Sequence, residues 1–374
     1  MAARAAGRRA LGGSPAAAGD RGPGAEAHDA VGGEVETLRV LAVAPNRVDL
    51  AGGTLDIYPL YLLLDGALTV NAAVTLESRV EARSRSDGRI VIRSEDTGAV
   101  LEAASWDRLP VDGPLALAAR AVRYWRPPGG CEVVTCNQAP PGSGLGASSA
   151  LLLALCAALA ALDGRPPARD HLVRVAADLE VQVIGGPGGR QDHYAAAAGG
   201  VNAIWFEPAS DRLEPLGGPE LAEELSRRLV VACVGEPHRS AVPNWRMVRA
   251  FIEGRPRTRQ ALARIKKAAA GMRRALAEGP DWDAAAAWMR EEWRWRRRAA
   301  RGVTTPAVDA AVEAALAAGA AAAKVCGAGG GGSVVALAPP GAREAVARAL
   351  AARGLQVLPV RVDTEGLRLR LLDE

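Results

Sequence analysis

Hydrophobic and polar positions in the first third of the chain follow the pattern of strands more than that of helices. A hydrophobic run over 38–45 ends at a proline, and residues 89–94 alternate with the period of two that is typical of a strand. One helix is predicted in this region, over 115–125. Strands are predicted over residues 38–45, 68–76, 80–83, 89–94 and 131–136.

From residue 150 onward the helical period dominates. An apolar helix is predicted over 151–162, and a connector over 207–219 that contains Pro and Gly separates a first domain, 37–207, from a second, 220–374. Because helices alternate with strands, a layered α/β fold is predicted rather than a helical bundle. Further helices are predicted over 171–184, 191–198, 245–252, 258–278, 282–300, 306–318 and 342–353, and strands over 201–206, 228–234, 333–338 and 355–362.

Composition sets the first 36 residues apart from the rest. Residues 1–36 are mostly Ala, Gly, Arg and Pro, with almost no large apolar side chain. Such a segment cannot bury enough surface to order itself, so a disordered extension is expected. An organelle targeting signal is the alternative, which Arg4, Arg8 and Arg9 favour and the scarcity of Ser disfavours.

Charge and cysteine usage exclude several classes of function. A formal net charge of +4 over 374 residues does not predict a nucleic-acid partner. The five cysteines contain no C-x-x-C pair, so neither a disulfide framework nor a zinc site is expected, and a reducing cytoplasm fits. The longest apolar run, 150–162, is too short to span a bilayer. The sequence therefore predicts a cytoplasmic protein without a membrane partner, and it leaves the oligomeric state open.

A glycine-rich turn precedes the apolar helix. Glycines let the backbone approach a ligand closely, and the unpaired N–H groups at a helix N-terminus attract anions. The turn is not a Walker A loop, because no Lys follows Gly146. Taken alone it predicts an anion-binding site, for ATP, NAD or a sugar phosphate, formed by Pro140, Gly142, Ser143, Gly144, Leu145, Gly146, Ala147, Ser148 and Ser149.

Two further segments extend this pattern along the chain. Residues 44–56 read APNRVDLAGGTLD, and residues 325–332 read VCGAGGGG. With the glycine-rich turn between them, they resemble the three motifs of the GHMP small-molecule kinases over nearly all of the chain after Leu38. The resemblance implies ATP as co-substrate, with its phosphates bound by the glycine-rich turn, and Mg²⁺. It also implies an N-terminal domain like the second domain of ribosomal protein S5 followed by a ferredoxin-like domain. It also implies a loop closing the cleft, made of Gly327, Ala328, Gly329 and Gly330.

Residues 188–192, Gly-Gly-Arg-Gln-Asp, are most similar to the sugar-kinase branch of that family, which contains heptose 7-phosphate kinase, fucokinase and galactokinase-like enzymes. The resemblance places the catalytic aspartate at Asp192 and a cation at Arg47. This cation would keep Asp192 ionised and steady the transferring phosphoryl group. Phosphoryl transfer to a hydroxyl, expected to be the anomeric one, of a sugar or sugar phosphate is implied.

The remaining site residues also follow from the resemblance. Mg²⁺ takes oxygen ligands, so the Ser148 hydroxyl and one carboxylate are expected to hold it, and the family pattern places that carboxylate at Glu180. Substrate-binding residues are expected at Asp56, Thr54, Gly53 and His193. Because Gly52-Gly53-Thr54 stands where galactokinase has Gly-Glu-His, galactose itself is disfavoured.

Three other functions compete with the sugar kinase. A kinase of a non-sugar alcohol, like mevalonate or homoserine kinase, would use the same motifs. A dinucleotide-binding oxidoreductase would explain the G-x-G-x-x-G/A patterns at 142–147 and 327–332, but a predicted strand rather than a helix follows the second. A catalytically silent sugar sensor is disfavoured, because Arg47, Ser148, Glu180 and Asp192 occur together.

Overall fold

This computed structural model describes residues 37–164, 167–235 and 241–373. They fold into two β-sheets with helices packed on them. The strands are β1 (Arg39–Ala51), β2 (Ala67–Ser84), β3 (Ile90–Ser94), β4 (Val100–Ala103), β5 (Cys131–Asn137), β6 (Val201–Phe206), β7 (Asp211–Leu216), β8 (Leu229–Cys233), β9 (Ala322–Val325), β10 (Ser333–Leu337), β11 (Gln356–Leu358) and β12 (Arg368–Leu372). The helices are α1 (Leu60–Leu63), α2 (Ala116–Trp125), α3 (Ala147–Leu162), α4 (Arg169–Ile184), α5 (Gln191–Ala198), α6 (Gly218–Arg228), α7 (Ala241–Ile252), α8 (Pro256–Ala277), α9 (Trp282–Ala299), α10 (Pro306–Ala317) and α11 (Arg343–Ala351).

The first sheet is built around the long strand β2. Its strand order is β12-β1-β2-β5-β3-β4, and β6 pairs with both β2 and β7. One end of β2 pairs with β6 and the other with β5, so a single strand replaces the two that were predicted over 68–76 and 80–83. The register of β1 against β2 shifts between Pro45 and Asn46, and β1 then continues to Ala51. The prediction that β1 ends at Pro45 is therefore wrong, because the irregularity accommodates the proline.

The direction of strand pairing bears on the competing oxidoreductase. β3 and β5 pair in parallel, and the other pairings between the strands described here are antiparallel. Dinucleotide-binding sites of the Rossmann type need a mostly parallel sheet with crossover helices. The segment over 327–332 instead connects the antiparallel strands β9 and β10. The described part of the chain therefore lacks the fold on which that alternative depends.

Helix α3 forms the core beside the first sheet. Its residues from Ser149 to Ala160 are all buried, as expected of a helix with no polar face. It packs against β1 and β2 and against α2, α4 and α5. These contacts fix the N-terminus of α3 next to Arg47 of β1, whose backbone N–H donates to the Leu145 carbonyl at 2.8 Å.

The second sheet has the order β11-β8-β10-β9 and is antiparallel throughout its described pairings. With helices between β8 and β9 and between β10 and β11, it has the β-α-β-β-α-β pattern of a ferredoxin-like domain, which confirms the predicted fold of the second half. Helices α8 and α9 pack against each other and also reach β1 of the first sheet. The two halves share these contacts, and 37–374 forms one compact unit.

Most predicted elements are confirmed, and α5 and β6 have the predicted bounds. The connector predicted over 207–219 is wrong as an irregular segment, because it contains β7 and the start of α6. The last strand, β12, pairs with β1, so the C-terminal segment returns to the first sheet; the division into 37–207 and 220–374 stays a prediction. The predicted extension over 1–36 lies outside the described residues. Across the described ranges, no helix has the length and apolar character needed to cross a bilayer.

Candidate active site

A cleft of about 380 Å³ opens where the loop before α3, the turn after β1 and the loop before α5 meet. Asn244 of α7 and Gly327 after β9 also line it, so both halves of the chain contribute. Predicted site residues that line this cleft are Arg47, Thr54, Asp56, Gly142, Ser143, Gly144, Gly146, Ala147, Ser148, Ser149, Glu180, Asp192, Gly327 and Ala328.

An ion pair joins Arg47 of β1 to Asp192 of α5. Arg47 Nε donates to Asp192 Oδ1 at 2.7 Å and Nη2 donates to Oδ2 at 2.6 Å, while Nη1 donates to the Gly144 carbonyl at 2.6 Å. Burial alone would lower the pKa of Arg47, but Asp192, Cys326 and Asp49 together more than offset this and the pKa is raised. The Asp192 side chain remains 22% exposed against 5% for Arg47, so the carboxylate is the member that faces the cleft.

Gly146 sits at the start of α3, where the backbone conformation favours glycine. Its φ is +76°, and a Cβ there would lie 3.2 Å from Asp192 Oδ2. Within the described residues no side chain caps α3, and its first turn carries no acid. The backbone N–H groups that open this long helix are therefore not capped by a side chain and can receive an anion.

The two glycine-rich segments pack against each other through their backbones. A Cβ on Gly144 would lie 2.8 Å from the Cys326 carbonyl oxygen, and one on Gly327 would lie 2.8 Å from the Gly144 carbonyl oxygen. A Cβ on Gly332 would meet the Ser143 carbonyl oxygen at the same distance. The loop over residues 327–332, which we call the late glycine loop, thus contacts the turn before α3. The close approach explains why both segments need glycine.

The Glu180 carboxylate of α4 accepts hydrogen bonds from two serine hydroxyls in the first turn of α3. Ser148 Oγ donates to Glu180 Oε1 at 2.5 Å, and Ser149 Oγ donates to Oε2 at 2.8 Å. His193 Nε2 lies 3.4 Å from Glu180 Oε2, too poorly aligned for a hydrogen bond. Burial lowers the pKa of His193, so the imidazole is neutral behind the carboxylate. Carboxylate and hydroxyl oxygens form the donor set that Mg²⁺ prefers.

Asp56 lies in the turn that follows β1 and is almost fully buried. Its Oδ2 accepts from the Gln191 backbone N–H at 3.0 Å, and its Oδ1 accepts from Gln191 Nε2 at 3.3 Å. Burial raises the pKa of Asp56 to about 6, although the Gln191 N–H opposes this shift. A Cβ on Gly189 would collide with this carboxylate at 1.8 Å. Glycine is therefore needed at position 189 so that the Asp56 carboxylate has room beside the cleft.

A further group of lining residues was not predicted. It comes from the ends of β3 and β5, from α2, from the second turn of α3 and from the C-terminal turn of α4. The sequence predicts α2 and β5, but no motif shows that they face the glycine-rich turn. The polar members are Ser94, Asp96, Thr97, Thr135 and Asn137, and the apolar ones are Leu115, Leu117, Ala118, Leu151 and Ile184.

Several predicted site residues do not line the cleft. Leu145 is fully buried in the core, and His193 is also fully buried, so a direct contact of either side chain with a ligand is not supported. Gly329 and Gly330 pack on the Val303 carbonyl instead. Gly53 packs on Asp49 and Arg296 beneath the cleft. Pro141, rather than the predicted Pro140, lines the cleft.

Comparisons with known proteins agree with this geometry. Residues 114–200 match the family model "GHMP kinases N terminal domain", and residues 272–356 match "GHMP kinases C terminal". D-glycero-alpha-D-manno-heptose 7-phosphate kinase of Campylobacter jejuni is 34% identical over 167 residues, which are 43% of this chain and 49% of that protein. The matched part thus spans about half the length of that relative.

Two other similar proteins match over most of their length. Mevalonate kinase of Pyrococcus horikoshii is 28% identical over 346 residues, 88% of this chain and 97% of that protein. The solved structure of a D-glycero-D-manno-heptose 1-phosphate kinase from Bacteroides thetaiotaomicron superimposes with a TM-score of 0.72 at 28% identity, over 90% of this chain and 100% of that one.

Proposed function

Because this chain belongs to the GHMP kinase family, we propose that it transfers the terminal phosphoryl group of ATP to a hydroxyl of a sugar or sugar phosphate. One observation carries the proposal. The Arg47–Asp192 pair, the uncapped N-terminus of α3 and the Ser148–Glu180 contact share one cleft. Phosphoryl transfer needs a phosphate cradle, a metal and a group that orients the nucleophile, and these three features supply such parts.

The phosphates of ATP are assigned to the glycine-rich turn and the first turn of α3. Free backbone N–H groups and the helix dipole favour negative charge there. Mg²⁺ is proposed to bind Glu180 and the Ser148 hydroxyl, because Mg²⁺ in such sites is commonly shared between one or two carboxylates and the substrate phosphates. When bound, it would neutralise charge on the phosphates.

Asp192 is proposed to receive the proton of the acceptor hydroxyl. The hydroxyl oxygen forms a bond to the γ-phosphorus, the bond from that phosphorus to the β,γ-bridging oxygen breaks, and ADP leaves. The two hydrogen bonds from Arg47 hold the Asp192 carboxylate in a fixed orientation. Arg47 also places positive charge near the transferring group, where negative charge accumulates.

The acceptor is proposed to bind beside Asp56 and Thr54, with Asn244 on the opposite half of the chain. A buried carboxylate that lines a cleft is well suited to accept hydrogen bonds from sugar hydroxyls. Two of the similar proteins are named as kinases of heptose phosphates, which supports a sugar phosphate as the first choice of acceptor. The anomeric hydroxyl of that sugar stays a prediction from the family resemblance. Mevalonate is the second candidate, since the Pyrococcus relative matches most of this chain.

A substrate panel tests the proposal. Purified protein with Mg²⁺ and ATP is assayed for ADP release with D-glycero-D-manno-heptose 7-phosphate, L-fucose, D-mannose, D-galactose, mevalonate and homoserine, and phosphorus NMR locates the new phosphate. We expect turnover with a sugar or sugar phosphate. Asp192→Asn should lower kcat by on the order of 10² to 10⁴, whereas Asp178→Asn, an exposed change on α4, should not. Turnover of mevalonate alone would replace the sugar assignment, and no turnover of any acceptor would contradict the kinase.

A further inference from the structure

Four ionic side chains lie buried beneath the cleft, and we call them the buried charge cluster: Asp49 of β1, Glu292 and Arg296 of α9, and Lys324 of β9. Each is at most 1% exposed. Lys324 Nζ lies 3.0 Å from Asp49 Oδ2 and 3.1 Å from Glu292 Oε2. Two acids thus balance two bases. Burial opposes ionisation of Asp49, but Lys324 and Arg296 more than offset this and lower its pKa.

Arg296 uses its guanidinium to join this cluster to the cleft wall. Its Nε donates to Glu292 Oε1 at 2.6 Å, and Nη2 donates to the Gly53 carbonyl at 2.6 Å. Its Nη1 donates to Thr54 Oγ1 at 3.0 Å and, more weakly, to the Gly327 carbonyl at 3.4 Å. One fork-shaped cation therefore contacts the turn after β1 and the late glycine loop, which belong to different halves of the chain.

The turn that Arg296 contacts is strained and carries Asp56. Thr54 has a φ of +77°, which is uncommon for a residue with a Cβ. A Cβ on Gly53 would lie 2.3 Å from Asp49 Oδ2 and 3.1 Å from Arg296 Nη2, so this turn rests directly on the buried charge cluster. Within the turn, the Leu55 N–H donates to the Gly52 carbonyl and the Ile57 N–H to the Thr54 carbonyl.

We propose that Arg296 is a positioning residue that fixes the turn over residues 52–57, and with it Asp56, against the late glycine loop. The consequence for the acceptor rests on the proposed function; the consequence for the turn does not. Arg296 touches neither the reacting atoms nor the Ser148–Glu180 contact. Its loss should therefore weaken acceptor binding more than nucleotide binding. A lysine in its place keeps the charge but cannot hold Gly53, Thr54 and Glu292 together.

Hydrogen–deuterium exchange of Arg296→Lys tests the positioning role without any ligand. We expect peptides covering residues 52–57 to exchange at least ~10-fold faster, while peptides from α3 stay unchanged, because local opening releases the turn but not the core. Arg297→Lys is the matched control, since that side chain is 47% exposed and pairs with Asp309. Unchanged exchange over 52–57, or faster exchange throughout the molecule, would overturn the proposal.

A second pair of variants covers the case in which Arg296→Lys does not fold. Thr54→Ala removes the hydroxyl that Arg296 contacts and leaves all four charges in place, whereas Thr54→Ser keeps the hydroxyl. Faster exchange over 52–57 in the alanine variant, with the slow exchange restored in the serine variant, supports the proposal, and equal exchange in both contradicts it.

For the acceptor turned over in the panel, KM should rise ~10-fold in Arg296→Lys with a smaller change in kcat and in calorimetric ADP affinity. If no acceptor is phosphorylated, the kinase assignment is contradicted, and the exchange experiment alone decides whether Arg296 positions the turn.

Discussion

Glu180 accepts hydrogen bonds from two neighbouring serines, and this arrangement predicts different effects of changing the carboxylate and its partners. Glu180→Gln removes the charge, so the Mg²⁺ concentration for half-maximal activity should rise strongly. Ser149→Ala keeps the charge but releases one orienting hydroxyl, and a loss of roughly 10- to 100-fold in metal affinity is expected, as for other groups that orient a metal ligand. Calorimetric titration of Mg²⁺ with ADP measures this without turnover.

The exposed Asp178 provides the control for both variants, because it lies on the same helix two residues before Glu180. Asp178→Asn should bind Mg²⁺ and ADP like the unchanged protein. If Glu180→Gln also binds them normally, Glu180 holds no metal and its contacts with the serines are structural only.

Asp56 should make stability depend on pH. Its pKa is raised to about 6 by burial, above the value of 3.8 expected in the unfolded chain, so its contribution to stability is complete below pH 4 and is lost as pH rises through 6. Asp56→Asn removes this loss, and the buried Gln191 Oε1, which has no partner among the described residues, can accept from the new amide. The variant should match the unchanged protein at pH 4 and exceed it by up to about 3 kcal/mol above pH 7.

Urea unfolding at pH 4, 6 and 8 measures this difference, and other titrating groups cancel because both proteins carry them. A gain that is equal at all three pH values would show that Asp56 titrates normally. The same variant should lose acceptor affinity, so greater stability would accompany weaker function.

The site residues differ in how far the sequence can reveal them. Arg47, Glu180 and Asp192 stand in segments with strong local signatures, and the structure brings all three to one cleft. His193 shows the limit of this reasoning, because its neighbour faces the cleft while its own side chain is fully buried. Arg296 illustrates the converse. It lies in a basic stretch that resembles a solvated helix face, and only its tertiary partners Asp49 and Gly53 explain its burial.

At the junction between the glycine-rich turn and α3, the left-handed backbone of Gly146 predicts that alanine there lowers both stability and activity. Gly146→Ala should cost ~1–2 kcal/mol for a left-handed residue with a Cβ, and the new methyl would press on Asp192 at 3.2 Å. We therefore expect a loss of both stability and kcat. Gly164→Ala, at φ +67° and with open space around it, carries the same backbone strain without the contact.

Urea unfolding and kcat measured on the two glycine variants separate strain from contact. Both should lose similar stability, and only Gly146→Ala should lose most of its kcat. Equal kcat in the two would mean that Asp192 tolerates the displacement and that the glycine serves the backbone alone.

Whole elements were predicted best where one periodic pattern dominates. Glycines flank helix α5 and separate it from strand β6, which ends just before Glu207-Pro208. The short strands β4, β9 and β12 were missed because their existence depends on a partner: β12 exists by pairing with β1, more than 300 residues earlier in the sequence. Pairing over such a separation leaves no local signal, since β-propensity reflects the surface on which a strand packs.

The buried charge cluster joins β1 to α9 and β9, and so it couples the stability of the two halves. Lys324→Met leaves two buried acids with one base, and an uncompensated buried charge typically costs ~3–5 kcal/mol. We expect urea unfolding to show this loss in one transition, followed alike by tryptophan fluorescence and far-ultraviolet circular dichroism.

The double variant Asp49→Asn with Lys324→Met should recover much of that stability, because it removes one acid and one base and leaves the Glu292–Arg296 pair at 2.5 Å intact. Arg348→Met, which breaks an exposed ion pair with Glu344, should change little by comparison. Recovery in the double variant would show that charge balance, rather than packing around Lys324, is what the cluster contributes. If the double variant is less stable than Lys324→Met, the cost lies instead in the lost contacts of Asp49, and the two halves are held together by packing.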